Sequence, residues 1–195
     1  MNDAEATDIV KYFYELGQLR FVKRAGWWVA KVRDPENVAQ HSFRAAAIAY
    51  VLARLENHPE PEKIALKTLF HDVHEARLMD RHKISSNYLK TPREVTERVE
   101  REQCSRIPAS IGGDIFRLLN EKDPVANAIA KDADYLDIIL AAREYCDVGY
   151  KDARDWIERA SSDRVLKTKS ARTLAAKIKK TDSGSWWRGL KEKVR

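Results

Sequence analysis

The chain has few residues that interrupt or cross-link secondary structure. Its 195 residues include only 7 Gly, 6 Pro and 2 Cys. So few turn-forming residues disfavour an all-β fold, which needs many tight turns. Cys104 and Cys146 lie far apart in the sequence and match no spacing of metal ligands. We expect two free thiols in a reducing compartment rather than a disulfide.

Long apolar runs are also missing. No segment approaches the roughly 20 apolar residues that cross a bilayer, and the first residues, MNDAEATDIVKYF, are acidic at their start and lack the apolar region of a secretory signal. We therefore expect a soluble cytoplasmic protein with no membrane partner. Hydrophobic residues make up 44% of the chain, which is enough for a folded core. The formal net charge of +6 is compatible with a phosphorylated small molecule, an acidic lipid or nucleic acid.

Apolar residues recur at helical spacing through most of the chain. This pattern predicts helices over about residues 5–19, from Val38 to Leu55, from Pro61 through Phe70, from Pro92 to about Arg106, over 113–121, from Pro124 to near Gly149, over 153–160 and over 166–179. Residues 21–40 lack periodicity and are predicted to be a connection. Thr91 and Glu94 resemble a capping box. The sequence predicts an all-α fold, with one helical bundle in residues 1–150 and a basic helical extension, residues 151–195, packed on it.

Four ionisable residues fall in predicted core helices: His41, His71, Asp72 and Asp134. Taken singly, such a residue is more often an ordinary core or surface residue than a ligand. Buried charge is costly unless it is paired or bound to a metal, however, and four such groups could meet at one cation. Imidazole together with carboxylate suits Mn, Co, Fe, Ni or Zn. His71 and Asp72 point about 100° apart on a helix, so both can face one ion only near a helix end or bend.

The order and context of these residues resemble a known family. The segments NVAQHSFRAAAIAY, LFHDVHEARLMD and IAKDADYLDIIL carry an H…HD…D pattern. This pattern resembles the HD superfamily of metal-dependent phosphohydrolases, and in particular the branch with the bacterial 5′-deoxynucleotidases and the HD-domain-containing protein 2 group. The similarity covers about residues 10–150. It implies a single HD-domain helical bundle.

The resemblance implies that the four ionisable residues above are the metal ligands. Asp132 competes with Asp134 for the last position, but the segment KDADYL aligns its second Asp with the family ligand. Asp132 and Asp137 are then expected on other helix faces, paired with Lys131 or with solvent.

The resemblance also implies catalytic residues. Glu75 matches a family Glu that activates water or protonates the leaving group, and it shares a helix face with His71. Asp80 matches a catalytic Asp near the substrate sugar and the attacking water. The family usually has Gly before this Asp, whereas this chain has Met79, and this departure puts the loop geometry in question.

Substrate-binding residues are expected ahead of the first histidine. The family has an Arg-Trp pair there that orients phosphate and packs on the nucleotide. Trp27 matches the Trp, but Gly26 stands at the position of the Arg. Arg24 or Arg33 must then supply the guanidinium group.

The implied activity is hydrolysis of (deoxy)nucleoside 5′-monophosphates to nucleoside and phosphate by a metal-dependent homodimer. One alternative is an HD hydrolase of another phosphate ester, such as a guanosine polyphosphate, a cyclic nucleotide or a nucleoside triphosphate. Another is a non-catalytic helical protein that binds nucleic acid or acts as an adaptor. The sequence has no named nucleic-acid motif and every expected ligand position is filled, which argues against the second alternative.

Overall fold

The computed structural model describes residues 1–190, and all regular secondary structure in this part of the chain is helical. An isolated antiparallel bridge between Lys23 and Asn37 is the sole β pairing there. The all-α prediction is thus confirmed. The helices are α1 (Asp3–Gly17), α2 (Gly26–Val29), α3 (Val38–Leu55), α4 (Pro61–Phe70), α5 (Glu75–Leu78), α6 (Lys83–Ser86), α7 (Arg93–Cys104), α8 (Ala109–Asn120), α9 (Pro124–Asp147), α10 (Arg154–Ala160) and α11 (Lys169–Ile178).

Side-chain caps explain where the two longest helices begin. Asn37 accepts a hydrogen bond from the backbone N–H of Gln40 and forms a reciprocal capping box with it at the start of α3. Asp123 accepts from two N–H groups in the first turn of α9, next to Pro124. The capping box predicted at Thr91 is wrong, because α7 begins at Arg93 after a proline and no side chain caps it.

Helix α9 runs through the centre of the fold and packs against α3, α4, α10 and α11. Its buried residues lie on several sides, as expected of a helix surrounded by protein. Its buried apolar side chains are Ala126, Ile129, Ala133, Leu136, Ile139, Ala141 and Ala142. Helix α3 is rich in buried alanines, and such small side chains let it approach α9 closely. The charged residues that α9 does bury therefore need partners from the helices around it.

The C-terminal helices share this core. Six apolar side chains from the chain after residue 150 join the same buried cluster as α3 and α9: Ala153, Ile157, Ala160, Leu166, Ala171 and Ala175. The division into a domain of residues 1–150 and an extension of residues 151–195 stays a prediction, and residues 191–195 lie outside the described part of the chain. Among residues 1–190, no helix combines the length and apolar character that a bilayer-spanning segment requires.

Candidate metal centre

Three helices bring the four predicted ligands together. His41 lies in the first turn of α3, His71 and Asp72 follow the end of α4, and Asp134 lies in the middle of α9. The Nε2 atom of His41 is 3.3 Å from Oδ1 of Asp134 and 3.7 Å from Oδ2 of Asp72. Nε2 of His71 is 3.1 Å from the same Asp72 oxygen. Two imidazoles and two carboxylates therefore converge on one small volume.

The end of α4 lets adjacent residues face the same point. The helix ends at Phe70, His71 is its C-terminal cap, and the next residues form a turn. Nδ1 of His71 lies 2.6 Å from the carbonyl oxygen of Thr68, which fixes the orientation of the ring. Val73 anchors the turn by packing into a small apolar cluster with α3. The expectation of a helix end at this position is confirmed.

The hydrogen bonds of the two imidazoles leave one nitrogen of each directed at the centre. Nδ1 of His41 bonds to Oδ2 of Asp137 at 2.6 Å, so its Nε2 is the nitrogen that faces the carboxylates. Within residues 1–190, this buried Nε2 makes no hydrogen bond of standard geometry, although Oδ1 of Asp134 lies 3.3 Å away. Histidine ligands of metals characteristically use the second ring nitrogen for such an outer contact. The residues present therefore fit a divalent cation.

The pKa values of two carboxyl groups at the centre are shifted in opposite directions. Burial raises the pKa of Asp72, but the charges of His71 and Arg24 outweigh burial and hold that pKa well below its usual value. For Glu75, burial and the negative charges of Asp72 and Asp80 raise the pKa to about 9. An ionised carboxylate next to a protonated carboxyl group is an arrangement suited to acid–base chemistry.

Asp137 corrects one expectation from the sequence. It was expected on another helix face, with Lys131 or solvent as its partner. Its side chain is instead fully buried between His41 and Arg44, and it accepts a short hydrogen bond from Nε of Arg44. A carboxylate in a helix that buries residues on several sides, together with a histidine ligand that needs an outer partner, was the signal that could have identified it.

Asp132 corrects the second expectation. It is also fully buried, and its carboxylate accepts hydrogen bonds from the backbone N–H groups of Lys167 and Thr168 and from the Thr168 hydroxyl. Lys131, the partner expected for these residues, instead lies 2.5 Å from Asp134. Asp132 thus joins α9 to the segment before α11 and takes no part in the converging set.

Arg24 and Asp80 both reach the centre, whereas Arg33 does not. Nη1 of Arg24 is 3.1 Å from Oδ2 of Asp72, and its Nη2 is 3.9 Å from Oδ1 of Asp134. Asp80 accepts a hydrogen bond of 2.7 Å from the backbone N–H of Ala25. Arg33 is exposed in the turn after α2. Of the two candidate arginines, only Arg24 lies beside the ligand set.

Trp27 is enclosed in the fold. Its side chain is 3% exposed, and its indole N–H donates to Oε1 of Glu36 at 3.0 Å. The ring packs edge-on against Tyr145 and beside Trp156. The structure thus brings Trp27 to the wall of the site but covers most of its surface with other aromatic side chains.

A cavity of about 1110 Å³ opens beside the ligand set. Arg24, His71, Asp72, Asp80 and Asp134 line one part of it. The rest of its lining comes mainly from α9, α10 and the α5–α6 region, and includes Tyr135, Ile138, Trp156, Ala160 and Val165 with the basic residues Arg81, Lys83, Lys131, Lys151, Arg154 and Arg159. A metal centre thus adjoins a space that has both apolar and cationic walls.

Comparison with known proteins decides the family. The family model described as HD domain matches residues 16–178. The chain belongs to the HD domain family. As the sequence resemblance implied, it is a metal-dependent phosphohydrolase. The match runs past residue 150, where the similarity found from the sequence ended.

Three of the proteins that match this chain are 29–32% identical to it over the aligned residues. The bovine protein named 5′-deoxynucleotidase HDDC2 is 29% identical over 161 residues, which is 79% of this chain and 76% of that protein. The 4′-phosphooxetanocin A phosphatase of Priestia megaterium is also 29% identical, over 76% of this chain and 79% of the relative. The solved crystal structure of genomics APC5600 is 32% identical with a TM-score of 0.74, covering 93% of this chain and 99% of that one.

Proposed function

We propose that this enzyme hydrolyses (deoxy)nucleoside 5′-monophosphates to nucleoside and inorganic phosphate, with a divalent transition metal held by His41, His71, Asp72 and Asp134. The observation that carries the proposal is the buried Nε2 of His41, which faces two carboxylates and makes no standard hydrogen bond within the described residues 1–190. The substrate class is supported by the bovine relative named as a 5′-deoxynucleotidase.

Two imidazole nitrogens and two carboxylates favour Mn, Co, Ni, Zn or Fe over Mg, which prefers oxygen ligands and keeps several waters. When bound, such an ion polarises a phosphoryl oxygen and lowers the pKa of a coordinated water. Asp137 and the Thr68 carbonyl hold the two imidazoles in the orientation that presents Nε2 to the centre.

Residues around the ligands supply the remaining chemistry. The Arg24 guanidinium, already beside Asp72, offsets negative charge on the phosphate oxygens. Burial raises the pKa of Glu75, and this carboxyl group is assigned to donate a proton to the departing 5′ oxygen of the nucleoside. Asp80, fixed by the backbone of Ala25, accepts a hydrogen bond from the sugar or from water.

The direct test is phosphate release from a substrate panel with Mn, Co, Ni, Zn, Fe and Mg added in turn. The panel holds deoxy- and ribonucleoside 5′-monophosphates, triphosphates, a cyclic nucleotide and a guanosine polyphosphate. We expect the monophosphates to be hydrolysed best. His71→Ala should lose bound metal and activity together, while Asp114→Asn, at an exposed position on α8, should keep both. Phosphate release by metal-free His71→Ala protein would overturn the proposal.

One observation favours a larger phosphate ester as a second candidate. The cavity of about 1110 Å³ exceeds the roughly 300–1,000 Å³ usual for small-molecule sites, and seven Lys and Arg side chains line it. A guanosine polyphosphate or a nucleoside triphosphate would use more of that space and charge. The same panel separates the two candidates, because this alternative requires the polyphosphate to have the highest kcat/KM.

We further propose that the enzyme is a cytoplasmic homodimer. Free Cys104 and Cys146 support a reducing compartment.

Helix α3 exposes large apolar side chains at helical spacing, namely Phe43, Tyr50, Val51 and Leu55, and such a stripe supports a protein interface. Light scattering should give twice the chain mass, and Phe43→Glu should lower it. A monomer at all concentrations would contradict the dimer.

A further inference from the structure

The part of the cavity that the catalytic residues do not use includes two aromatic side chains, Tyr135 and Trp156, among charged and aliphatic residues. Tyr135 directly follows Asp134 on α9, and Ile138 lies one turn further along the same helix. Helix α10 contributes Trp156 and Ala160 to the same cavity. Aromatic faces beside aliphatic side chains suit a flat ring, because rings stack on one another and leave their polar edges free. These aromatic and aliphatic side chains therefore offer a surface suited to a nucleobase.

Trp27 cannot provide the main stacking surface for a base. Its ring is enclosed by Tyr145 and Trp156, with ring centroids 5.0 Å and 5.6 Å away, and its N–H already donates to Glu36. Trp156 shares the ring contact with Trp27 but is more exposed. It is half-buried, it lines the cavity, and within residues 1–190 its indole N–H makes no hydrogen bond. A tryptophan in a protein wall commonly directs its N–H to a partner, and here a ligand can provide one.

Gly26 connects Trp156 to the catalytic centre. A Cβ atom built on Gly26 would lie 3.7 Å from Nε1 of Trp156, which is ordinary van der Waals contact. The indole therefore packs against the backbone at Gly26, two residues from Arg24, whose guanidinium contacts Asp72. One short stretch of chain thus joins the phosphate-facing arginine to the aromatic wall.

We propose that Trp156, with Tyr135 beside it, forms the nucleobase subsite of the enzyme. The C-terminal helical segment then supplies part of the active site and is not a mere appendage. This inference rests on the proposed function and deepens it, because it assigns the residues that recognise the part of the substrate far from the scissile bond. Binding energy gained there raises kcat/KM for nucleotides over phosphate esters that lack a base.

The test compares two substrates on the metal-loaded full chain, 2′-deoxyadenosine 5′-monophosphate and 2-deoxyribose 5-phosphate. Trp156→Ala should lower kcat/KM for the nucleotide by about 10- to 100-fold, mainly through KM, because stacking of one base on an aromatic ring is a contribution of this size. The same variant should leave kcat/KM for the sugar phosphate unchanged. Trp156→Phe should restore most of the nucleotide activity. Trp28→Ala, at an exposed position on the same short helix as Gly26, should change neither substrate.

Two results would overturn the subsite. An equal loss for both substrates that Trp156→Phe does not repair would show that Trp156 only supports the fold. An unchanged kcat/KM for both would show that the base does not touch it. If the wild-type enzyme hydrolyses neither substrate, the proposed function fails by itself. The subsite is then judged by calorimetry, where deoxyadenosine must bind the wild type more tightly than Trp156→Ala, and equal binding would reject it.

Discussion

Replacement of Asp137 by asparagine tests how the fold holds the first metal ligand. The Asp137 carboxylate is fully buried and accepts from Nδ1 of His41 at 2.6 Å with one oxygen and from Arg44 with the other. Asparagine has one acceptor oxygen and one NH₂ group, so it can satisfy only one of these two donors. In the variant, either the hydrogen bond to Nδ1 of His41 is lost or the NH₂ group of the asparagine faces Arg44. In both cases the negative charge beside His41, which supports the basicity of its ring, is removed.

Loss of such an outer partner of a metal-bound histidine typically weakens metal binding by about 10- to 100-fold. That range corresponds to about 1.4–2.8 kcal/mol of binding free energy. We expect this loss in a competition titration of Asp137→Asn with a chelator, for Mn and for Zn. Phosphate release at limiting metal should fall in parallel and recover in part when metal is in excess, because the four ligands themselves are intact.

Glu144→Gln is the matched control, because Glu144 is the exposed partner of the same Arg44 side chain and does not contact His41. The metal affinity of this variant should be within about twofold of the wild-type affinity. That change is far smaller than the loss expected when an outer partner of a metal ligand is removed. Metal affinity of Asp137→Asn within the same twofold, in a protein with an unchanged unfolding midpoint, would refute the role assigned to Asp137.

Three further substitutions test the fold. Asp132→Ala removes a fully buried carboxylate and leaves three partly buried donors of residues 167 and 168 without their acceptor, so it should lower the free energy of unfolding in urea by about 1–3 kcal/mol. Met79 has φ 62° and ψ 153°, a conformation largely restricted to glycine, so Met79→Gly should raise the free energy of unfolding by about 1 kcal/mol. Burial raises the pKa of Glu15, but hydrogen bonds from Arg77 and Gln103 outweigh it and hold that pKa below its usual value. A carboxyl group with a lowered pKa in the folded state stabilises the fold at pH values above its unfolded-state pKa, and this stabilisation is lost as pH falls through the folded-state pKa. Glu15→Gln should therefore destabilise the protein at about pH 7 and have little effect near pH 3.

Two of these substitutions have a matched control, and each of the three has a result that would contradict it. Asp163→Ala, at a position 91% exposed in its side chain, should leave the unfolding midpoint unchanged, and a midpoint for Asp132→Ala equal to it would contradict the anchoring role. A lower midpoint for Met79→Gly than for the wild type would show that this backbone is not strained. Glu62→Gln, at an exposed position on α4, controls for the loss of one negative charge. An equal effect of Glu15→Gln at both pH values would show that the ionised Glu15 carboxylate does not stabilise the fold through Arg77 and Gln103.

Most of the helical fold could be predicted from the sequence because its signals are local. The apolar spacing and the caps located α3 from Val38 to Leu55 and the start of α9 at Pro124, and both are confirmed. Boundaries without a strong cap were less accurate. The helix predicted over residues 113–121 begins at Ala109, after Pro108, and the basic helix predicted over 166–179 begins at Lys169. The fit of the C-terminal helices into the main core depends on long-range packing, which no local pattern contains.

In the site, too, the features that depend on local sequence could be predicted, and the contacts between distant segments could not. Residue identity and order predicted the converging set and the helix end at His71, since each depends on a short segment of chain. The partners of that set come from distant segments. Asp137 reaches His41 across 96 positions and Asp132 reaches residues 167 and 168 across 35 and 36 positions, and without a fold their direction could only be guessed. The enclosure of Trp27 likewise depends on Tyr145 and Trp156, which the resemblance alone does not place.

Helix α9 has three buried carboxylates: Asp132 holds residues 167 and 168, Asp134 faces Nε2 of His41, and Asp137 bonds to Nδ1 of His41 and to Arg44. Each residue advances an α-helix by about 100°, so one inserted or deleted residue upstream would turn all three away from their neighbours at once. Substitutions along this helix can be compensated one at a time, but changes in its length cannot. Natural variants of this enzyme should therefore differ in length in the loops around α9 while its rotational register is kept.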